Sequence, residues 1–244
     1  MTGARLDIDR VSVRFGGLLA VDTATLHVES GSVIGLIGPN GAGKTTLFNV
    51  ITGLLAPSGG AVLLDGRDLS NAKPYKRARR GIARTFQRLE AFGSLTVREN
   101  VMVAAEMRRR WAGRFDASSE VQAILERVGI AHLADARAED LPTGNARLCE
   151  LARALAVAPK ILLLDEPSSG LDEDETDRLG LLLRDLAADG LGVLLVEHDM
   201  PLVMTTCDYI HVLDFGRIIA RGTPSEVQSD EQVQRAYLGA KESA

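Results

Sequence analysis

A chain of 244 residues, 45% hydrophobic and 25% charged, buries a sizeable core and fits one α/β domain, or one with a small inserted lobe. The net charge of −5 speaks against bulk nucleic-acid binding, and the two cysteines, Cys149 and Cys207, imply no disulfide framework and a reducing compartment. The N-terminal residues form no apolar leader segment, and no apolar run approaches the roughly 18–20 residues that span a bilayer.

Residues 6–15 alternate through Leu6, Ile8, Val11, Val13 and Phe15, which predicts a half-buried strand, with 24–28 as its neighbour. The apolar run 33–37 leads into Gly38, Pro39, Asn40, Gly41, Ala42, Gly43, Lys44, Thr45 and Thr46, a full G-x-x-x-x-G-K-[ST] loop, and then into a helix-like run over 46–55. Strand, Gly-rich loop, helix is the context this motif requires. The loop's N–H groups surround a β-phosphate, and the helix N-terminus adds its positive end. Lys44 is expected to reach the β- and γ-phosphates, and Thr45 to offer its hydroxyl to Mg²⁺. The chain therefore reads as a nucleoside-triphosphate binder.

Residues 61–65, followed by Gly66, Arg67 and Asp68, predict a further strand and turn, completing a small, mainly antiparallel sheet beside the phosphate site. The pattern then turns helical over 72–158, which predicts a helical lobe inserted into the α/β core. Within it, Thr96 and Glu99 have capping-box spacing, 118–128 and 145–158 have helical periodicity, and Pro159 ends the last helix. The runs 161–164 and 193–196 are continuously apolar and end in polar residues, as strands buried on both faces of a parallel sheet do. A helix is expected over 173–188 with Gly190 just past it, and Thr223, Pro224 and Glu226 open a final helix in 222–244. The whole chain, 1–244, thus reads as a single domain.

Asp165 ends one apolar strand and Glu166 follows at once. An acid at that place in a P-loop protein orders Mg²⁺, and the adjacent glutamate can polarise the attacking water. His198 ends the next strand, where an imidazole can bond a γ-phosphate and orient water. Gln87, in Arg84-Thr-Phe-Gln87, carries an amide that can ligate Mg²⁺ and sense the γ-phosphate.

With these residues in this order, the sequence resembles the ATP-binding cassette (ABC) ATPases over nearly its whole length. The resemblance assigns Phe15 to stacking on adenine, 38–46 to the Walker A loop, Gln87 to the Q-loop, and Leu141 to Asn145 to the signature segment. It assigns 161–166 to Walker B, Ser169 to Asp172 to the D-loop, and His198 to the H-loop. It implies a P-loop fold with a RecA-like parallel-sheet core, a small antiparallel subdomain and an inserted helical lobe. It further implies ATP and Mg²⁺ as ligands, and two cassettes, alike or different, closing head to tail around two ATP molecules. Thr143, Gly144 and Asn145 would then face the partner's nucleotide.

The signature departs from the family's Leu-Ser-Gly-Gly-Gln: Pro142 stands at the serine, Thr143 at the first glycine and Asn145 at the glutamine, while Gly144 is kept. Pro142 has neither hydroxyl nor N–H, so Thr143 is expected to supply the hydroxyl one position on. The implied consequence is weaker hydrolysis of the ATP held by the partner's Walker A loop.

A finer resemblance is to the LivG-type subunit of branched-chain amino-acid importers, carried by 13–21, 83–88, 95–101, 196–204, Gly222-Thr-Pro224 and Ala236-Tyr-Leu-Gly239. Leu141-Pro142 also fits that branch. Such subunits work at the cytoplasmic face of the membrane, held by two permease subunits that a periplasmic or lipid-anchored solute-binding protein feeds. The docking surface would lie at 89–100, where Leu89, Phe92 and Leu95 form either an apolar groove or part of the lobe core. The basic stretch 73–88 faces either lipid headgroups or solvent. Two other classes stand beside the transport ATPase: a soluble mechanical ABC ATPase, and a low-turnover regulatory cassette.

Overall fold

The structure, a computed structural model, describes residues 3–85 and 90–239. β1 (Arg5–Phe15) and β2 (Leu18–Glu29) form an antiparallel hairpin through a tight Gly16-Gly17 turn. Their register shifts between Ile8 and Val11, where Arg10 takes φ +47°, and this bulge keeps both apolar residues on the inner face despite their odd spacing. β3 (Val33–Ile37) is buried along its whole length and feeds the Gly-rich loop into α1 (Lys44–Thr52). β4 (Gly59–Leu64) and the short β5 (Arg67–Asp68) complete a four-stranded antiparallel sheet ordered β2-β1-β4-β5.

α2 (Pro74–Ala78), with proline in its first turn, precedes β6 (Ile82–Arg84). The lobe helices follow: α3 (Val97–Ala112), α4 (Ala117–Val128) and α5 (Thr143–Ala156). Thr96 caps α3 with a complete box, its hydroxyl accepting from the Glu99 N–H while the Glu99 carboxylate accepts from the Thr96 N–H. β7 (Ile161–Asp165), α6 (Glu173–Ala188), β8 (Gly192–Val196), α7 (Met200–Thr206) and the hairpin of β9 (Tyr209–Asp214) and β10 (Arg217–Gly222) follow. The chain ends in α8 (Pro224–Ser229) and α9 (Glu231–Gly239). The main sheet is ordered β10-β9-β3-β8-β7-β6 and is parallel except for its β9–β10 edge.

Three apolar clusters hold these layers. On β7 and β8, Ile161, Leu163, Leu194 and Val196 face the antiparallel sheet and α1, while Leu162, Leu164, Val193 and Leu195 face α6, α7 and α8. The third cluster joins α3, α4 and α5 through residues such as Val101, Leu125 and Ala152. Burial of both strand faces is what the continuous apolar runs require.

Two boundaries differ from the sequence reading. The range 72–158 contains β6, which pairs in parallel with β7 from Ile82 opposite Ile161 to Arg84 opposite Leu163, so this stretch belongs to the main sheet and the lobe helices begin at Val97. Three residues are too few to show a period of their own. The final helix is also split: Asp230 takes an extended ψ of 121°, and its carboxylate accepts the N–H groups of Gln232 and Val233, so a new helix starts there. The basic stretch is partly internal as well. Arg77 is fully buried and donates to the carbonyls of Val50, Ile51, Ser70 and Ala72, satisfying the end of α1, while burial pulls its pKa down to about 10.

Candidate active site

The carboxyl ends of β3, β7 and β8 converge on one cleft of about 490 Å³. It is lined by Phe15, by Asn40, Gly41, Ala42, Gly43, Lys44, Thr45 and Thr46, and by Asp165, Glu166 and His198. Gly38 and Pro39 open the loop, and their carbonyls face Lys44 Nζ. The glycines are needed there for room. Gly38 has φ +151° and a Cβ on it would sit 1.9 Å from the Leu213 carbonyl oxygen; Gly43 has φ +106° and a Cβ would sit 2.6 Å from that of Ala20.

Lys44 is buried, and its Nζ donates to the carbonyls of Gly38 at 2.6 Å and Pro39 at 3.1 Å. Burial lowers its pKa, while Glu166 and Asp165 hold it up. The ammonium is therefore anchored at the base of the loop that would wrap a phosphate.

Asp165 is almost fully buried, and Arg84 Nη2 lies 2.9 Å from its carboxylate. Burial raises the Asp165 pKa, and the Arg84 guanidinium opposes that rise. Arg84 also donates to Asn49 Oδ1 at 2.6 Å and lies 5.4 Å from the centre of the Phe48 ring. Sequence reasoning missed Arg84, although a strand-end acid in a dry sheet calls for a nearby cation. Thr45 and Asp165 bring a hydroxyl and a carboxylate into the same cleft, oxygen donors of the kind Mg²⁺ takes together with phosphate and water.

Glu166 has φ +51°, an uncommon conformation for a residue with a side chain, and its N–H donates to the Val196 carbonyl at 2.9 Å. His198 Nε2 lies 2.9 Å from Glu166 Oε1. The neighbouring Glu197, also missed from sequence, is 3% exposed. Its carboxylate accepts the Ser168 N–H at 2.7 Å and the His198 N–H at 3.1 Å, tying together the turns that follow β7 and β8. Burial raises its pKa, and these hydrogen bonds resist the rise.

Phe15 is 49% exposed at the mouth of the cleft, so it is not a core aromatic. Thr143, Gly144 and Asn145 sit apart from the cleft, in the first turn of α5. Pro142 and Thr143 are exposed, and Gly144 is packed so closely that a Cβ would meet Leu171 at 2.6 Å and the Gly170 oxygen at 2.9 Å. Asn145 lines a separate cleft with Glu175 and Arg178. Gln87 and Leu89 lie outside the described residues.

The family profile for ABC transporters matches residues 21–169. The chain belongs to the ABC transporter family. A second profile, described as a branched-chain amino acid ATP-binding cassette transporter, matches residues 217–243. The cassette is 41% identical to the high-affinity branched-chain amino acid transport ATP-binding protein BraF of Pseudomonas aeruginosa, over 96% of this chain and 97% of that protein. It is 39% identical to LivG of Escherichia coli, which bears the same description, over 98% and 99% of the two chains. It is 36% identical to the lipopolysaccharide export system ATP-binding protein LptB of E. coli, over 97% and 98%. The crystal structure of a nucleotide-free ATP-binding cassette from an ABC transporter superposes with a TM-score of 0.86 at 31% identity, covering 96% of this chain and 98% of that one. The cassette thus has the fold and the family of the transporter ATPases. Among the described residues, no helix is long and apolar enough to cross a membrane.

Proposed function

We propose that the cassette is the ATP-hydrolysing subunit of a membrane importer for branched-chain amino acids or related small polar solutes. The observation that carries the reading is the Glu166–His198 pair at 2.9 Å, placed in the cleft that Lys44 and Thr45 line. In this reading the loop 38–46 holds the triphosphate of ATP and Phe15 stacks on its adenine. Thr45, Asp165 and Gln87 hold Mg²⁺, which neutralises phosphate charge when bound. Glu166 polarises the attacking water, and His198 orients Glu166 and the γ-phosphate. The placement of Thr143 at an exposed helix start away from its own cleft, with the buried Gly144 beside it, supports a role opposite the nucleotide of a second cassette, alike or different.

ATP would close such a dimer and hydrolysis would reopen it, moving permease subunits at the cytoplasmic face of the membrane. A groove of about 340 Å³, lined by Leu54, Tyr75, Ala78, Ala104 and Val157 and also by Glu90, supports permease docking beside the expected segment 89–100. The permeases would in turn be fed by a solute-binding protein. The matches at 217–243 and over nearly the full length of BraF and LivG favour import of branched-chain amino acids; the LptB likeness makes export the competing direction. The test is leucine uptake by the source cell with its own copy replaced by Lys44→Ala. The reading expects loss of uptake together with loss of ATPase activity in the purified chain. Normal uptake with an ATPase-dead cassette overturns the substrate assignment.

A further inference from the structure

Phe215 is 87% exposed and takes φ +42°, a combination that both solvation and backbone sterics disfavour for a large aromatic residue. It is the first of the two residues that turn β9 into β10; Arg217 pairs with Asp214 across them, and Gly216 also has positive φ, +79°. A two-residue turn with two positive φ values prefers Asn-Gly or Asp-Gly, so Phe215 is there against the turn's own preference. Strain of this kind collects at functional sites.

The turn is also fastened to the phosphate loop. The Gly216 N–H donates to the Ala42 carbonyl at 2.9 Å, the Gly216 carbonyl accepts from the Asp22 N–H at 2.8 Å, and Arg217 Nη2 pairs with Asp22 at 2.6 Å. A Cβ on Gly216 would lie 2.8 Å from the Ala20 oxygen, so the turn sits tight against β2. Phe215 and Phe15 both line the cleft that contains Lys44 and Thr45, and Leu18 adds a third exposed apolar side chain there. A cleft with a phosphate cradle at its floor and two aromatic rings with an apolar chain at its mouth matches a nucleotide's polarity: charge inside, flat base outside.

We propose that Phe215 is a second aromatic contact for the purine base of ATP bound in this cleft, acting with Phe15 and held in a strained turn for that purpose. The proposal rests on the reading of residues 38–46 as an ATP site. It is tested by calorimetric titration of ATP–Mg²⁺ and of tripolyphosphate–Mg²⁺ into the wild type, Phe215→Asn, Phe215→Ala and, as controls, Phe15→Ala and Lys44→Ala. Phe215→Asn is expected to bind ATP about tenfold more weakly, the scale of one lost base–aromatic stack. It is expected to bind tripolyphosphate as the wild type does, and to melt at a higher temperature because Asn suits the turn. Phe215→Ala should show the same loss for ATP alone. Unchanged ATP affinity in both variants overturns the proposal, as does equal weakening of both ligands; unchanged affinity with weakened dimerisation would make Phe215 a subunit contact instead. A wild type that binds ATP no better than tripolyphosphate overturns the base contact while leaving the phosphate site standing. A wild type that binds neither overturns both.

Discussion

His198 Nε2 lies 2.9 Å from Glu166 Oε1, and the turns that carry these two side chains share one buried carboxylate, Glu197. In the tautomer with Nε2 protonated, the imidazole donates to the Glu166 carboxylate and holds it in one orientation. His198→Ala is therefore expected to lower ATP turnover by about 10²-fold, the scale of a general acid–base or orienting contribution, with a change in ATP affinity under about threefold. Steady-state ATPase assays with parallel equilibrium binding check this. An equal loss in both quantities would make His198 a binding residue only.

Arg84 and Asp165 form an ion pair whose side chains are 6% and 3% exposed. Removing one partner of a buried pair leaves the other uncompensated, at a cost of about 3–5 kcal/mol. Arg84→Met is expected to lose stability on that scale in denaturant melts, and the double variant with Asp165→Asn to lose less than the sum of the two single changes. Additive losses would mean that the pair does not couple.

His211 is 2% exposed on β9, and neither ring nitrogen has a hydrogen-bond partner among the described residues. It meets the rings of His27 and Tyr209 edge-on. Burial, with His27 and Arg221 nearby, lowers its pKa from 6.5 to about 4. Because the folded pKa is depressed, the folded form binds fewer protons than the unfolded form between those values, so stability rises with pH. The contribution is full above about pH 6.5 and lost as pH falls towards 4, a loss on the order of 3 kcal/mol. Thermal melts from pH 7 to 4 on the wild type and His211→Leu check it: the variant's acid-side decline should be shallower. Parallel curves would assign the decline to other groups.

The phosphate site was legible because its residues are contiguous and flanked by strands whose burial on both faces leaves an unbroken apolar run. Asp165 and His198 were legible as the polar ends of two such runs. Arg84 was not, because its strand is three residues long and its partner lies on another strand. Glu197 was hidden for a related reason: a glutamate after an apolar strand reads as the start of a surface turn, and only folding brings the Ser168 N–H to it. The split at Asp230 was also hidden, since the capping role of that residue competes with continuation of the helix.

Thr143 is exposed at the start of α5, one position after Pro142, which provides no side-chain cap for the helix. If its hydroxyl replaces the missing serine, Thr143→Ala lowers hydrolysis in the assembled dimer by about tenfold without changing ATP binding to the isolated chain. Turnover measured above and below the dimerisation concentration checks this, and an unchanged rate in the assembled form would remove Thr143 from the site.

ATP bound in the cleft of residues 38–46 is expected to drive association of two cassettes, and Glu166 to end that state by hydrolysis. Light scattering on the Glu166→Gln protein, with and without ATP–Mg²⁺ and with a second cassette supplied where the chain alone does not pair, tests it most directly. The expected result is ATP-dependent conversion from monomer to a stable dimer, with turnover reduced by at least about 10²-fold. Rapid turnover in that variant, or ATP binding that never changes the mass, would contradict it.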